Sequence, residues 1–146
     1  MVSRTTVEFQ QSHRSIRRFK NQPISDTVFA QLILAGQAAA SSSFLQGVTI
    51  IRVTNDAKRD AFKEIAGGQP YVKTAPEFLV FCADLSRSIR CCIEHGRTPC
   101  EGLTEHFIIA TVDAALCAQN VALAAESLGL GICYIGAIRN DAERSA

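Results

Sequence analysis

Residues 103–128 read Leu103-Thr104-Glu105-His106-Phe107-Ile108-Ile109-Ala110-Thr111-Val112-Asp113-Ala114-Ala115-Leu116-Cys117-Ala118-Gln119-Asn120-Val121-Ala122-Leu123-Ala124-Ala125-Glu126-Ser127-Leu128, and their reading decides the fold. The stretch is the longest helical segment of the chain and is apolar nearly all round. Asp113 and Glu126 divide it, and the uncharged interval between them falls short of the roughly 18 residues that a membrane span needs. A helix outside a membrane that is hydrophobic all round must be covered on all sides, by its own domain or by a partner chain. Its alanines favour tight helix-to-helix contact, so a homodimer interface is expected here.

On its C-terminal side, Gly129 and Gly131 end the helix, and Ile132-Cys133-Tyr134-Ile135 is expected to form a strand leading to Gly136. A glycine at a strand exit leaves a backbone N–H free to face a planar ligand at close range. Arg139-Asn140-Asp141 then turns, a further helix begins at Asp141, and the chain stops at Ala146, so the domain reads as unfinished.

On the N-terminal side, Leu85 to Gly102 is expected to be a loop or irregular insertion, broken by Arg87, Arg90, Gly96, Arg97 and Pro99. Before it, Glu77 to Ala83 is a nearly continuous apolar run of strand length, which suggests an interior strand covered on both faces. Gly67-Gly68-Gln69-Pro70 forms a rigid turn whose glycines allow close backbone approach to a flat ligand. Gln69 there offers a donor and an acceptor to a heterocycle edge, although the turn also reads as a plain loop. Asn55 or Asp56 caps a helix running through Phe62 and Ile65, and Val48 to Thr54 is a strand by its β-branched content. Ser41-Ser42-Ser43, beside Phe44, can accept a phosphate or a polyol, or can be no more than a serine-rich helix exit. The helix before it starts at Ser25-Asp26, with Ile24 stapling onto Phe29, and runs to about Ala39. A short helix from about Thr5 to Gln11 leads into the first basic stretch.

That stretch, His13-Arg14-Ser15-Ile16-Arg17-Arg18-Phe19, concentrates charge that no carboxylate close in sequence neutralises. The arginine forks match phosphate and carboxylate oxygens, and the serine and imidazole add further hydrogen bonds, so it reads as an anion seat or as a solvated basic loop. The single apolar residues Ile16 and Phe19 would pin it to a core.

With 146 residues, 47% of them hydrophobic and 20% charged, the chain can bury one substantial core, and a single domain over residues 1–146 is expected. A formal net charge of +1 argues against nucleic acid or a membrane surface as a partner, because both need a broad excess of positive charge. Met1-Val2-Ser3-Arg4-Thr5 lacks the apolar stretch of a secretory signal, so a cytoplasmic location is expected. Cys82, Cys117 and Cys133 sit in apolar runs as small hydrophobes. Cys91, Cys92 and Cys100 with His95 form the one cluster worth weighing for zinc or redox work, but they lack paired C-x-x-C spacing, so no metal is expected.

Taken in order, His13-Arg14-Ser15-Ile16-Arg17, Ser41-Ser42-Ser43-Phe44-Leu45-Gln46, Gly67-Gly68-Gln69, Ala118-Gln119-Asn120, Ala124-Ala125-Glu126-Ser127-Leu128-Gly129-Leu130-Gly131 and Tyr134-Ile135-Gly136 closely resemble the oxygen-insensitive NADPH nitroreductases and related NADPH-flavin oxidoreductases of the nitroreductase superfamily. The resemblance covers most of the chain apart from residues 86–102. It implies an α+β fold with a central, mostly antiparallel sheet flanked by helices, a homodimer, and FMN held at the dimer interface. It also implies that His13 and Ser15 hold the FMN phosphate, that Arg14 supports them, and that Arg17 lies by the pyrimidine end of the flavin. Ser41, Ser42 and Ser43 would come from the partner subunit, and Gln69 would meet the ring edge. Tyr134, Ile135, Gly136 and Ala137 would run along the flavin, with the Gly136 amide near N5. In such a site no protein nucleophile is needed, and NADPH reduces FMN before a nitro compound, quinone or free flavin takes two electrons in a ping-pong cycle. The family commonly has a second glycine where Ala137 stands. It also continues beyond this chain's end with further basic residues, so the C-terminal part is read as missing. The alternative reading is a truncated, non-catalytic remnant that folds or dimerises without productive flavin chemistry.

Overall fold

The computed structural model describes residues 5–145, and the expectations drawn from Met1-Val2-Ser3-Arg4 and from the stop at Ala146 lie outside them. The long apolar stretch is one helix, Thr104–Ser127, here α6, following α1 (Thr6–Gln11), α2 (Asp26–Gln37), α3 (Asp56–Ile65), α4 (Tyr71–Thr74) and α5 (Ser86–Glu94). Two strands, β1 (Val48–Arg52) and β2 (Leu79–Ala83), pair antiparallel with Val48 opposite Ala83 and Arg52 opposite Leu79.

The helix carries two stripes at helical spacing. Ala110, Asp113, Ala114, Cys117, Ala118, Val121, Ala122 and Ala125 are buried, which puts small residues where α2 and the sheet lie against the helix. Close approach is required there: a Cβ on Gly36 of α2 would come within 2.8 Å of Val121 Cγ2 and 3.1 Å of Cys117 Sγ. Asn120 ties the pair by donating from Nδ2 to the Ala35 carbonyl at 3.1 Å. On the other side Ile108, Val112 and Leu116 recur every fourth residue and are exposed, with Phe107 beside them 71% exposed. The expectation of a helix needing cover all round is therefore met on one side by this chain and left open on the other. By length and mean hydropathy (1.7) α6 could cross a membrane, yet its buried stripe forms part of the domain core.

β2 divides that core in two. Leu79 and Phe81 pack on Leu32, Val121 and Ala125 from α2 and α6. Val80 faces the other way, onto Val53, Ala66, Val72 and Phe78. Alternation of side chains along a strand produces this split, so the continuous apolar run does serve two faces. The second cluster is closed from below by Arg59, 7% exposed, whose guanidinium donates to the Val53, Lys73, Ala75 and Pro76 carbonyls.

The predicted helix starts hold. Ser25 Oγ accepts from the Val28 N–H, Asn55 Oδ1 from the Lys58 N–H, and Thr5 with Glu8 forms a reciprocal capping box on α1. Gly67 and Gly68 both take positive φ, 74° and 79°, before Pro70 opens the short α4, which the sequence reading omitted.

Two expectations fail. Residues 86–94 are helix α5, where a loop was expected. Leu85, Ile89 and Cys92 recur at helical spacing on its half-buried side, while Arg87 and Arg90, read as breaks, form the solvent face. Residues 132–135 are no strand; they make one parallel bridge, Ile132 to Ser15, before a 3-10 turn over Ala137–Asp141. β-branched content gives a segment the potential to pair, but a ladder also needs a neighbour running alongside. The helix expected from Asp141 forms as α7 (Ala142–Ser145).

Candidate functional site

The basic stretch is an exposed, extended segment held to the body of the molecule at two points. The Ile16 N–H donates to the Ile132 carbonyl at 2.8 Å, and the Ile16 side chain covers Gly131, where a Cβ would come within 2.8 Å of it. Glycine is needed at 131 for this approach; Ile16 itself is 37% exposed and Phe19 is half-buried, so the expected pin to a core is reduced to the Ile16 contact on Gly131. His13 Nδ1 meets Glu126 Oε1 of α6 at 2.7 Å, so one carboxylate distant in sequence does reach the cluster. The arginines stay available. Among the described residues Arg14 donates only to the neighbouring His13 carbonyl, and Arg17 and Arg18 pair with no carboxylate.

The Tyr134–Ala137 segment follows directly from the bridge. Ile135 and Ala137 pack on Val53, Ala66, Val72 and Phe78, while Tyr134 is half exposed and donates from its hydroxyl to Gln119 Oε1 at 3.2 Å. Burial, helped by the negative charge of Glu126, pushes the Tyr134 phenol up from its ordinary value, so it stays a neutral donor. Gly136 lies under Arg139, whose guanidinium would sit 3.1 Å from a Cβ there. Gln69 is half-buried between Ala66 and Val72, which belong to the same cluster as Ile135 and Ala137. One copy of the chain thus brings the stretch holding His13, Arg14, Ser15 and Arg17 alongside the segment that leads to Tyr134, Ile135, Gly136 and Ala137, with Gln69 near in sequence to two residues on which that segment packs.

Ser41, Ser42 and Ser43 are elsewhere. They form a tight turn between α2 and β1, with Ser43, Phe44 and Gln46 in the left-handed region at φ 49°, 56° and 52°. Such a conformation costs about 1 kcal/mol or more per residue and persists only where surroundings enforce it. Here Asp113, 3% exposed, enforces it. Its carboxylate accepts from Ser41 Oγ at 2.7 Å, the Gly47 N–H at 2.9 Å and the Ser42 N–H at 3.2 Å, and Ser41 Oγ in turn accepts from the Gln46 N–H. Burial alone would raise the Asp113 pKa; the three donors outweigh it and hold the group below its ordinary value. Ser42 and Ser43 are left exposed at the apex with Phe44, 80% exposed.

Asp113 and Glu126 therefore hold two different seats. At 1.5 Å and 100° per residue they are about 20 Å apart along α6 and roughly 140° apart around it. Neither of two clefts on the surface joins them. One, of about 550 Å³, lies between α2, β1 and the serine turn and includes Ser41, Arg52, Arg87 and Asp113. The other, of about 640 Å³, lies between α5 and the start of α6 and includes Ile89, Cys92, Cys100 and Phe107. Among the described residues no group of three metal-ligating side chains converges; Cys91 and His95 are a pair only, with Sγ and Nδ1 3.8 Å apart. Cys117 is fully buried, whereas Cys82 and Cys133 are half-buried.

Asp113, Glu126, Gln119 and Arg139 were not read as site residues from the sequence. The signal for the first two was present, since each is a charge set in an apolar helix. Gln119 entered only within the quoted Ala118-Gln119-Asn120 motif, with no role given to it, and Arg139 only as part of a turn.

The chain is 45% identical over 141 residues to an FMN reductase (NADPH) of Bacillus subtilis, covering 95% of this chain and 57% of that protein. It is 47% identical over 139 residues to an NADPH-flavin oxidoreductase of Vibrio harveyi, covering 94% and 55%. Among solved structures, the NfrA1 nitroreductase from B. subtilis superposes with a TM-score of 0.93 at 43% identity, over 97% of this chain and 58% of that one. The Vibrio harveyi NADPH:FMN oxidoreductase complexed with NAD+ superposes with a TM-score of 0.90 at 46% identity, over 96% and 59%. The chain thus spans somewhat over half the length of the relatives it matches. The Nitroreductase family model matches residues 11–145, from just before the basic stretch through the glycine segment and α7, and the chain belongs to that family.

Proposed function

We propose that the protein is an FMN-dependent oxidoreductase that takes electrons from NADPH and passes them to nitroaromatics, quinones or free flavin, and that its site is built by two copies of the chain. The separation of the two seats along α6 carries this reading. One phosphate-bearing flavin cannot engage the serine turn and the basic stretch of the same copy, whereas a second copy docked on the exposed Ile108, Val112 and Leu116 stripe could bring its serine turn across. The donors fit the cofactor: arginines that pair with no carboxylate among the described residues, an imidazole and serine hydroxyls suit a phosphate and a ribityl chain. His13, Ser15 and Arg14 would hold the phosphate, Ser41, Ser42 and Ser43 would come from the partner, and Gln69 and the Tyr134–Ala137 backbone would orient the ring. Arg17 supplies fixed positive charge, which favours the form of the ring that carries extra electrons. FMN, when bound, supplies the hydride and two-electron chemistry, with donor and acceptor using the site in turn. The free cysteines suit a reducing compartment, the cytoplasm.

The test is titration of the purified chain with FMN, followed by protein-bound absorbance and sedimentation. Saturable uptake at one FMN per chain in a dimer is expected, together with NADPH oxidation stimulated by nitrofurazone. Arg17→Ala should weaken FMN binding or slow flavin reduction about tenfold, with Arg18→Ala near wild type. A chain that self-associates but takes up no FMN would overturn the enzyme reading in favour of a non-catalytic remnant, and equal effects of the two arginines would overturn the role given to Arg17.

A further inference from the structure

Glu126 sits where its own helix disfavours it. The last turn of α6 is the negative end of the helix dipole, and that turn contains no basic residue. Its compensation comes from 113 residues away in sequence, the His13 imidazole at 2.7 Å. The Glu126 side chain is 15% exposed, the His13 side chain 43% exposed, so a fixed carboxylate grips the inner ring nitrogen of a residue whose other side faces solvent. An acid placed beside a cationic anion seat should by charge alone weaken that seat.

We propose that Glu126 is a positioning residue for the phosphate seat. By accepting from Nδ1–H it fixes the rotation of the ring and leaves Nε2 for a ligand of the exposed stretch that His13 shares with Arg14 and Ser15. The stretch would otherwise lose rotamer freedom on binding, and holding the ring beforehand removes that cost. The inference rests on the flavin reading for the identity of the ligand, while the contact itself does not depend on it.

The experiment compares dissociation constants for FMN and riboflavin, whose ratio isolates the phosphate arm. Glu126→Ala should lower the FMN preference about five- to tenfold even though it removes a negative charge from an anion site. Glu126→Gln, whose amide oxygen can still accept from Nδ1–H, should keep the wild-type preference or exceed it. His13→Ala should match Glu126→Ala, and the double variant should be no worse than either, because Glu126 acts only through His13. A FMN preference that rises in both Glu126 variants would overturn the inference, since charge alone would then explain the residue. If the wild-type chain binds neither flavin, the flavin reading falls, and the positioning role is decided by long-range 1H–15N spectra of the imidazoles during titration with inorganic phosphate. The His13 Nε2 response should then persist in Glu126→Gln and vanish in Glu126→Ala; an equal response in both would overturn it.

Discussion

The two halves of α6 do opposite things with similar residues. Around Val121 and Ala125 the helix is packed by Gly36, Leu32, Leu79 and Phe81, and at Glu126 it grips His13. Around Phe107, Ile108 and Val112 it fully buries only Ala110, Asp113 and Ala114 and leaves those three large apolar side chains in water. Composition does not separate these halves. The difference lies in what faces them: the C-terminal half meets α2, β2 and the returning 130–137 segment, and the N-terminal half meets a strained turn held by one carboxylate. The first half is finished within the chain, and the second is organised around a polar anchor with an open apolar side.

The most severe way to break the contrast is Asp113→Ala. It removes the acceptor of three donors and leaves the Gly47 N–H buried, and it should cost about 3 kcal/mol and lower the melting temperature by roughly 10 °C. A variant that melts like wild type would mean that the turn keeps its shape without the anchor. Next in size is Val112→Glu on the open stripe. It should leave the melt of the isolated copy within about 0.5 kcal/mol while weakening self-association by about a hundredfold in sedimentation equilibrium. Equal self-association would show that another surface makes the dimer. In the closed half, Gly36→Ala tests the packing. The new Cβ, 2.8 Å from Val121 Cγ2, should cost more than the roughly 1 kcal/mol that alanine returns in helix propensity, for a net loss of about 1 kcal/mol by urea denaturation. A net gain would show that α2 can move off α6.

The smallest effect concerns Asp84, whose carboxylate accepts from Thr49 Oγ1 and from the Ser86 N–H next to the open half. These bonds, the Thr49 one foremost, bring its pKa down from 3.8 to about 2. A carboxyl that is more acidic in the folded state stabilises fully above pH 3.8, and this contribution fades as the pH falls through 2. Asp84→Asn should therefore melt slightly below wild type at pH 6, with the gap closing in acid. A gap that stays constant with pH would assign the effect to shape alone.

Much of the fold was legible because its signals are local. Helix starts at Ser25 and Asn55 need only a side-chain oxygen three residues before an N–H, and the apolar run at 79–83 needs only its alternation to serve two cores. The loop expected over Leu85 to Gly102 failed because arginines on the outer face of an amphipathic helix look like breaks when counted along the chain. The strand expected at 132–135 failed because pairing depends on a neighbour, and Ser15 offers only one rung.

For the site, sequence by itself determined which residue types the proposed reading draws on: the arginine cluster, the serine trio, Gln69 and the glycine segment. These are properties of side chains and order. Only tertiary structure decided that Asp113 holds the serine turn, that Glu126 holds His13, and that the two seats lie far apart on one rigid helix. Distance across a fold is set by helix rise and packing, and neither is written in the identity of the residues at either end.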